Sequence, residues 1–159
     1  MQKILLVLIL ILTLGSHSMA YEEANYETIS ENKNYEIRKY FDRLVIETDS
    51  TEGNGFRKLF NYISGNNEEQ KEIKMTVPVT QENKDGNMKM QFYLPSKFNK
   101  DNAPKPSNPE IKVLNIKGGY YAVIKYSGRS SDKNFIKNKN ILKKEIKKDD
   151  IIILSAPIR

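Results

Sequence analysis

Residues 55–79 read GFRKLFNYISGNNEEQKEIKMTVPV, and this stretch is the strongest indication of the fold class. Its first part carries apolar residues at three- and four-residue steps, namely Phe56, Leu59, Phe60 and Ile63. This spacing predicts a helix with one apolar face, ended by the polar residues 64–67. Residues 73–79 are β-rich, and Pro78 predicts that this strand is an edge or leaves the sheet there. A helix followed by such a strand indicates an α+β fold.

Strands are predicted on both sides of this unit. Apolar residues alternate imperfectly with charged ones before it, which predicts strands at 34–40 and 43–49. The polar residues 83–86 predict a turn, so that residues 88–94 return as a hairpin partner. Residues 95–109 are rich in Pro, Lys and Asn, which predicts an exposed connection without regular structure.

The second half of the chain repeats this order. Strands are predicted at 111–116 and 120–126, with a turn at the glycine pair between them. Asp132 or one of the two preceding serines can then begin a helix. The residues that this helix is predicted to turn inward are Phe135, Ile136, Leu142 and Ile146. Residues 151–154 are all apolar and predict a buried strand.

The two halves share a spacing as well as an order. Val45 precedes Pro78 by 33 positions and Val123 precedes Pro157 by 34, and both prolines lie in a small-apolar-Pro-apolar sequence. Recurrence of this kind indicates an internal duplication, although two similar strand-helix-strand stretches can also arise by chance.

The predicted fold is therefore an α+β distorted antiparallel β-barrel made of two strand-strand-helix-strand repeats with two main helices. The repeats cover residues 26–95 and 110–159, and the seam between them is a natural place for a cleft. The second half has no equivalent of the strand at 88–94. We expect either that a last strand is missing or that an edge is left open near 88–94 or 151–154.

Residues 1–20 have the features of a secretory signal peptide. Lys3 gives a positive start, residues 4–14 form an apolar run, and Ser18 and Ala20 fit a cleavage site after residue 20. The run is shorter than the roughly 20 residues of a membrane span, although an uncleaved anchor is the alternative. We expect an exported protein, periplasmic or secreted, with no stable membrane span after cleavage.

The formal net charge of +6 does not indicate nucleic-acid binding. Lysines are scattered among Asn, Glu and Asp, and their densest run, at 143–148, is typical of the solvated face of a helix. No nucleic-acid partner is expected, and the sequence identifies no protein partner.

Several segments of the chain resemble the SOUL haem-binding protein family. The resemblance is carried by residues 55–67 and 73–79, and is extended by the segments 26–28, 35–38, 90–95 and 122–128. It implies the two-repeat barrel shared with effector-binding domains of some bacterial regulators. It also implies haem or another tetrapyrrole as the ligand. The Pro-Pro segment and the Arg-Arg-Asn-Glu stretch that usually end the family are absent, which again implies a missing last strand.

The resemblance also implies a site on the first helix. The matching positions are Phe56, Phe60 and Asn61, with Arg57 beside them as a partner for a porphyrin propionate. Phenylalanines four residues apart are also typical of a helix packed on a core, and Arg57 is equally typical of an exposed helix charge.

The residues predict no catalytic or metal site. The chain has no Cys, and its one histidine, His17, lies in the predicted signal peptide. Haem would then be held by apolar contact, with only Met, Tyr or Lys as iron ligands. We therefore expect a non-enzymatic binding protein. The alternatives are a protein-interaction role, an effector-binding domain for a different amphiphile, and a small-molecule hydrolase that uses Glu36, Glu47 or Glu72.

Overall fold

The structure is a computed structural model that describes residues 21–84, 86–155 and 157–159. The predicted signal peptide lies outside the described residues. The helices are α1, Gly55–Ile63, and α2, Asp132–Lys148. The strands are β1 Glu22–Glu23, β2 Tyr26–Glu31, β3 Glu36–Tyr40, β4 Arg43–Asp49, β5 Thr76–Val77, β6 Val79–Lys84, β7 Asn87–Tyr93, β8 Lys112–Ile116 and β9 Gly119–Val123.

The strands form three sheets. The largest is antiparallel, in the order β6-β7-β4-β8, and the second is antiparallel, in the order β2-β3-β9. The third is the short parallel pair β1-β5. Sheet β2-β3-β9 joins strands from both predicted repeats, because β9 pairs with β3.

The main core lies between α1 and the four-stranded sheet. Leu59, Tyr62 and Ile63 of α1 are buried against Ile46 and Phe92. A fully buried side chain of this size contributes roughly 1.5–3 kcal/mol to folding. This contact fixes α1 against strands β4 and β7 of the sheet.

The buried face of α1 differs from the predicted one. Leu59 and Ile63 are buried as expected, but Phe56 and Phe60 are 48% and 47% exposed. Tyr62 takes their place in the core because its hydroxyl donates a hydrogen bond to the backbone oxygen of Pro104, at 2.6 Å, and is satisfied there.

The connection at 95–109 is irregular, as predicted, but it is not exposed throughout. Phe98 and Ala103 are buried in the core cluster, and Pro104 is among the fully buried side chains. The prediction failed here because the apolar residues of this segment pack into the same core cluster as Leu59, Tyr62 and Ile63 of α1.

The predicted open edge near 88–94 is wrong. The hairpin of β6 and β7 forms at the predicted turn, and β7 then pairs with β4 on its other side. The outer strands of this sheet are β6 and β8. Pro78 separates β5 from β6, so the predicted strand at 73–79 does leave its sheet at this residue.

The second half contains the predicted helix α2. The side chain of Ser131 caps it by accepting a hydrogen bond from the backbone of Asn134. Ile146 is buried and Phe135 is half-buried, but Ile136, predicted to turn inward, is 48% exposed.

The predicted buried strand at 151–154 is not formed. Ile152 and Leu154 are 82% and 94% exposed, and these residues pair with no strand among those described. They belong instead to a segment that leads from α2 to the edge of β6, where the backbones of Arg159 and Gln81 exchange two hydrogen bonds. The two larger sheets stay separate, so the closed barrel is not confirmed in the described residues.

Over the described ranges, neither helix combines the length and the apolar character that a membrane-spanning helix requires.

Candidate functional site

A cleft of about 1050 Å³ lies at the predicted seam between the two halves. Sheet β2-β3-β9, strands β6 and β7, helix α2 and residues 151–155 all contribute to its walls. Ligand sites typically measure roughly 300–1,000 Å³, so this cleft can hold a large organic molecule.

One side of the cleft is apolar. Helix α2 contributes an inward stripe at three- and four-residue steps, and residues 151–154 lie beside it. The apolar residues that line the cleft on the regular elements include Val79, Met90, Val123, Phe135, Leu142 and Ile146. Because Ile152 and Leu154 line an open cleft, they are accessible to solvent and to a ligand.

The floor of the cleft carries tyrosines and arginines on one face of the three-stranded sheet. Strand alternation places Arg38 and Tyr40 on the same face, and the register sets Tyr26 opposite Tyr40 and Tyr121 opposite Arg38. The ring centres of Tyr26 and Tyr121 lie 5.3 and 5.4 Å from that of Tyr40.

Arg38 is 4% exposed and is held from several sides. Its Nε donates to Glu36 at 2.7 Å, its Nη1 donates to the hydroxyl of Tyr40 at 3.1 Å, and its guanidinium lies 4.1 Å from the ring centre of Tyr26. Its Nη2 is buried and has no hydrogen-bond partner among the described residues. A buried donor without an acceptor costs roughly 1–3 kcal/mol. This guanidinium can therefore gain a bond from an acidic ligand.

Arg43 supplies a second cation from the four-stranded sheet. Its guanidinium lies 5.0, 5.1 and 5.7 Å from the ring centres of Tyr40, Tyr93 and Tyr121, which is within the range of cation–π attraction. Its Nη1 donates to the backbone oxygen of Phe41 at 3.3 Å, and its Nε is buried without a partner in the described part of the chain.

Glu36 is an ion-pair residue. Its carboxylate lies 2.7 Å from Arg38 and 2.9 Å from Lys125, and the hydrogen bonds from these two cations lower its pKa. A general base near neutral pH needs a raised pKa instead. Glu47 accepts a hydrogen bond from Gln91 at 2.7 Å, and Glu72 is exposed. The three carboxylates considered for hydrolysis are therefore paired or exposed.

The four residues predicted to contact a porphyrin lie outside the cleft. Phe56, Arg57, Phe60 and Asn61 are all on the exposed face of α1, which we call the helix-1 face. The two phenylalanine rings are stacked, with their centres 6.0 Å apart and their planes 12° apart. The edge-to-face contact of Phe56 with Phe92, at 5.2 Å, holds this pair against the sheet. The helix-1 face therefore presents two exposed aromatic rings stacked on one another, with Arg57 on the same exposed face.

Sequence reasoning missed the polar floor of the cleft. The segment that contains Glu36, Arg38 and Tyr40 was interpreted as a strand with one wet face, so its charges were assigned to solvent. A usable signal was present, since the tyrosine pair at 120–121 predicts an aromatic strand that could cover such a face. The pairing of β3 with β9 is what buries it.

No group of three or more His, Cys, Asp or Glu residues in the described ranges could hold a metal ion. The α+β fold and an apolar cleft with the buried cation of Arg38 at its floor place the chain among domains with a site of small-molecule size. More particularly, the chain belongs to the SOUL heme-binding protein family, whose sequence model matches residues 21–157.

A search of curated proteins gives a relative in the mouse, Mus musculus. It is Heme-binding protein 2, which is 33% identical to this chain over 93 residues. The match covers 50% of this chain and 45% of the mouse protein, so the chain spans about half the length of this relative.

Proposed function

We propose that the chain binds haem or another tetrapyrrole in the cleft, as an exported, non-enzymatic carrier or buffer. The observation that carries this proposal is the guanidinium of Arg38, buried at the floor of an apolar cleft of about 1050 Å³ with its Nη2 unpaired among the described residues. Membership of the SOUL heme-binding protein family supports the ligand class.

The residues fit a tetrapyrrole on three counts. The apolar wall suits the faces of the macrocycle, the volume suits its size, and the unpartnered nitrogens of Arg38 and Arg43 would pair with propionates. Charge-assisted hydrogen bonds of this kind are worth roughly 1.5–3 kcal/mol each. Bound haem would bring its own redox and ligand-exchange chemistry, and the protein residues would bind it, orient it and exclude water.

Two observations support a carrier role: the lowered pKa of Glu36 and the signal-like composition of residues 1–20. The lowered pKa of Glu36 argues against a hydrolase that uses this residue as its base. Export is supported by the signal-like composition of residues 1–20. The same cleft would also accept another flat acidic amphiphile, as in an effector-binding domain, and the titration below separates these ligands.

The helix-1 face is a second candidate position for the same ligand. The parallel rings of Phe56 and Phe60 could stack on a macrocycle, with Arg57 as propionate partner and Asn61 beside it. The cleft is preferred because it surrounds a ligand on several sides, whereas the helix-1 face offers one surface.

Two matched arginine variants test the function and its position. The full chain, Arg38→Met and Arg57→Met are titrated with haemin, with iron-free protoporphyrin and with a long-chain fatty acid. We expect saturable porphyrin binding that weakens about tenfold or more in Arg38→Met, because one charge-assisted bond is lost, and changes less than about twofold in Arg57→Met. Circular dichroism confirms that both variants are folded.

The other outcomes of this titration would change the proposed site, change the proposed ligand or refute the proposed function. Weakening by Arg57→Met alone moves the site to the helix-1 face. Tighter binding of the fatty acid than of both porphyrins assigns the cleft to another amphiphile. Absence of saturable porphyrin binding to the unaltered chain refutes the proposed function.

A further inference from the structure

Helix α2 presents a basic surface to solvent. The helix and the two residues after it contain seven lysines and four acidic residues, so this region carries a net positive charge. One of the acidic residues, Asp132, also pairs with Arg159 outside the helix. Four exposed lysines recur at four- and seven-residue steps, which places them on one side of the helix. This surface, which we call the helix-2 face, consists of Lys133, Lys137, Lys144 and Lys148.

Exposed lysines alone are typical of a solvated helix, but here apolar side chains lie beside them. Ile152 and Leu154 are the two most exposed large apolar side chains of the described residues. The segment that carries them begins beside the last turn of α2, because the backbone nitrogen of Ile151 donates to the oxygen of Ile146 at 3.1 Å. The isoleucines of α2 that are themselves exposed are Ile136 and Ile141.

This combination matches the chemistry of an anionic membrane. Anionic headgroups attract lysines held close to the lipid surface, and the attraction grows with the number of lysines. A single apolar anchor binds a bilayer only weakly, whereas an apolar anchor together with a basic patch binds it stably. The helix-2 face offers the charge complementarity, and residues 152–154 offer the anchor. An anionic bilayer provides both counterparts, with headgroups at its surface and hydrocarbon directly beneath.

We propose that the helix-2 face and residues 152–154 dock the protein on an anionic lipid surface, with Ile152 and Leu154 inserted among the acyl chains. Residues 152–154 also line the cleft and are exposed, so docking places an opening of the cleft at the lipid surface. This inference goes beyond the proposed function and does not depend on the identity of the ligand in the cleft.

Vesicle binding tests the proposal. The full chain carries Leu8→Asp and Ile11→Asp in every sample, because the apolar run at 4–14 would otherwise bind lipid by itself. No porphyrin is added. Co-sedimentation is measured with vesicles of phosphatidylcholine alone and with vesicles of phosphatidylcholine and phosphatidylglycerol in equal parts. We expect saturable binding to the anionic vesicles, at least about tenfold tighter than to the neutral ones and weakened by added salt.

A combined lysine variant tests the helix-2 face. It should bind the anionic vesicles at least about tenfold more weakly, because four charges close to the headgroups are lost. It carries Lys133→Gln, Lys137→Gln, Lys144→Gln and Lys148→Gln. The matched control changes the same number of exposed lysines that neither lie on α2 nor line the cleft, and it should lose less than about threefold. It carries Lys74→Gln, Lys100→Gln, Lys105→Gln and Lys112→Gln.

Leu154→Ser tests the apolar anchor. The side chain of Leu154 is almost fully exposed in the free protein, so this change should leave the fold intact, as circular dichroism would confirm. Binding to the anionic vesicles should weaken about tenfold, because one side chain no longer enters the hydrocarbon. Ile29→Ser is the control, since Ile29 is exposed on β2 and does not line the cleft, and it should change binding less than about twofold.

Several results would overturn the lipid surface. They are the absence of saturable binding to anionic vesicles, binding that does not respond to salt, equal weakening by the two lysine variants, and unchanged binding of Leu154→Ser. The last of these would leave the helix-2 face as a surface for a soluble acidic partner. Because no porphyrin is present, failure here leaves the proposed function standing, and failure of the porphyrin titration leaves the lipid surface standing.

Discussion

Tyr62 lies in the centre of the core, where its hydroxyl donates to the backbone oxygen of Pro104 at 2.6 Å. Tyr62→Phe leaves that buried oxygen without a donor, and we expect the free energy of unfolding to fall by about 1–2 kcal/mol at pH 7. Urea denaturation measures this loss. Tyr126→Phe, at a 44% exposed position, is the control and should stay within about 0.5 kcal/mol of the unaltered chain.

The difference in the free energy of unfolding between the unaltered chain and Tyr62→Phe should depend on pH. Burial, and to a smaller extent the charge of Glu69, raises the pKa of Tyr62 to about 12. Above a pH of about 10 the unfolded chain loses this proton while the folded chain keeps it, so the contribution of Tyr62 to stability declines as the pH rises. The gap between the unaltered chain and Tyr62→Phe should therefore narrow by about 1 kcal/mol between pH 8 and pH 11. A constant gap would show that Tyr62 ionises with a normal pKa.

Individual residues were the least predictable feature of this molecule. Sequence spacing shows that Phe56 and Phe60 share a helical face, but it does not show whether that face is buried. Arg38 was not recognised as a site residue, because its burial depends on β9, which is more than 80 residues away in the sequence. A single sequence shows which residues share a face of a helix or strand. It does not show which distant strand will cover that face and bury a charge on it.

At the scale of elements, the β8–β9 turn packs against the β3–β4 turn through a glycine. Asp42 accepts hydrogen bonds from the backbone nitrogen of Gly118 and from Lys117, both at 2.8 Å. A Cβ atom on Gly118 would overlap the backbone oxygen of Tyr40 and would lie 3.0 Å from the carbonyl carbon of Phe41. Gly118→Ala should therefore lower the free energy of unfolding by about 1–3 kcal/mol, measured by urea denaturation.

The neighbouring glycine provides the control for this prediction. A Cβ atom on Gly119 would meet only Cε2 of Tyr121, at 3.7 Å, which is an ordinary contact. Gly119→Ala should therefore cost much less than Gly118→Ala. Equal stability of the two variants would contradict the close approach of the two turns.

The elements themselves were mostly predictable. The predicted strand at 43–49 and the hairpin closed at 83–86 are found, because alternation and turn chemistry are local properties. Residues 151–154 were the main failure. An apolar run of four residues predicts burial, but it becomes a strand only if another strand offers hydrogen bonds, and none does so among the described residues.

For the whole molecule, the order of elements indicated the cleft better than any residue did. Two successive strand-strand-helix units were predicted to leave a seam, and the cleft of about 1050 Å³ lies there. The closed barrel is not confirmed because residues 151–154 run along the cleft to β6 without pairing. The apolar side chains of residues 152–154 are thereby left exposed in the cleft and available to a ligand.

Limited digestion tests this view of the cleft. Leu154 is 94% exposed and lines the cleft, so chymotrypsin should cut after it in the free protein. A porphyrin in the cleft would cover Leu154. If only the free protein is cut, protoporphyrin at 100 times its Kd should slow this cleavage by about 100-fold. Cleavage after Phe41, which is 42% exposed and does not line the cleft, is the internal control and should keep its rate. Saturating porphyrin that leaves cleavage at Leu154 unchanged would place the ligand outside the cleft, with the helix-1 face as the remaining candidate.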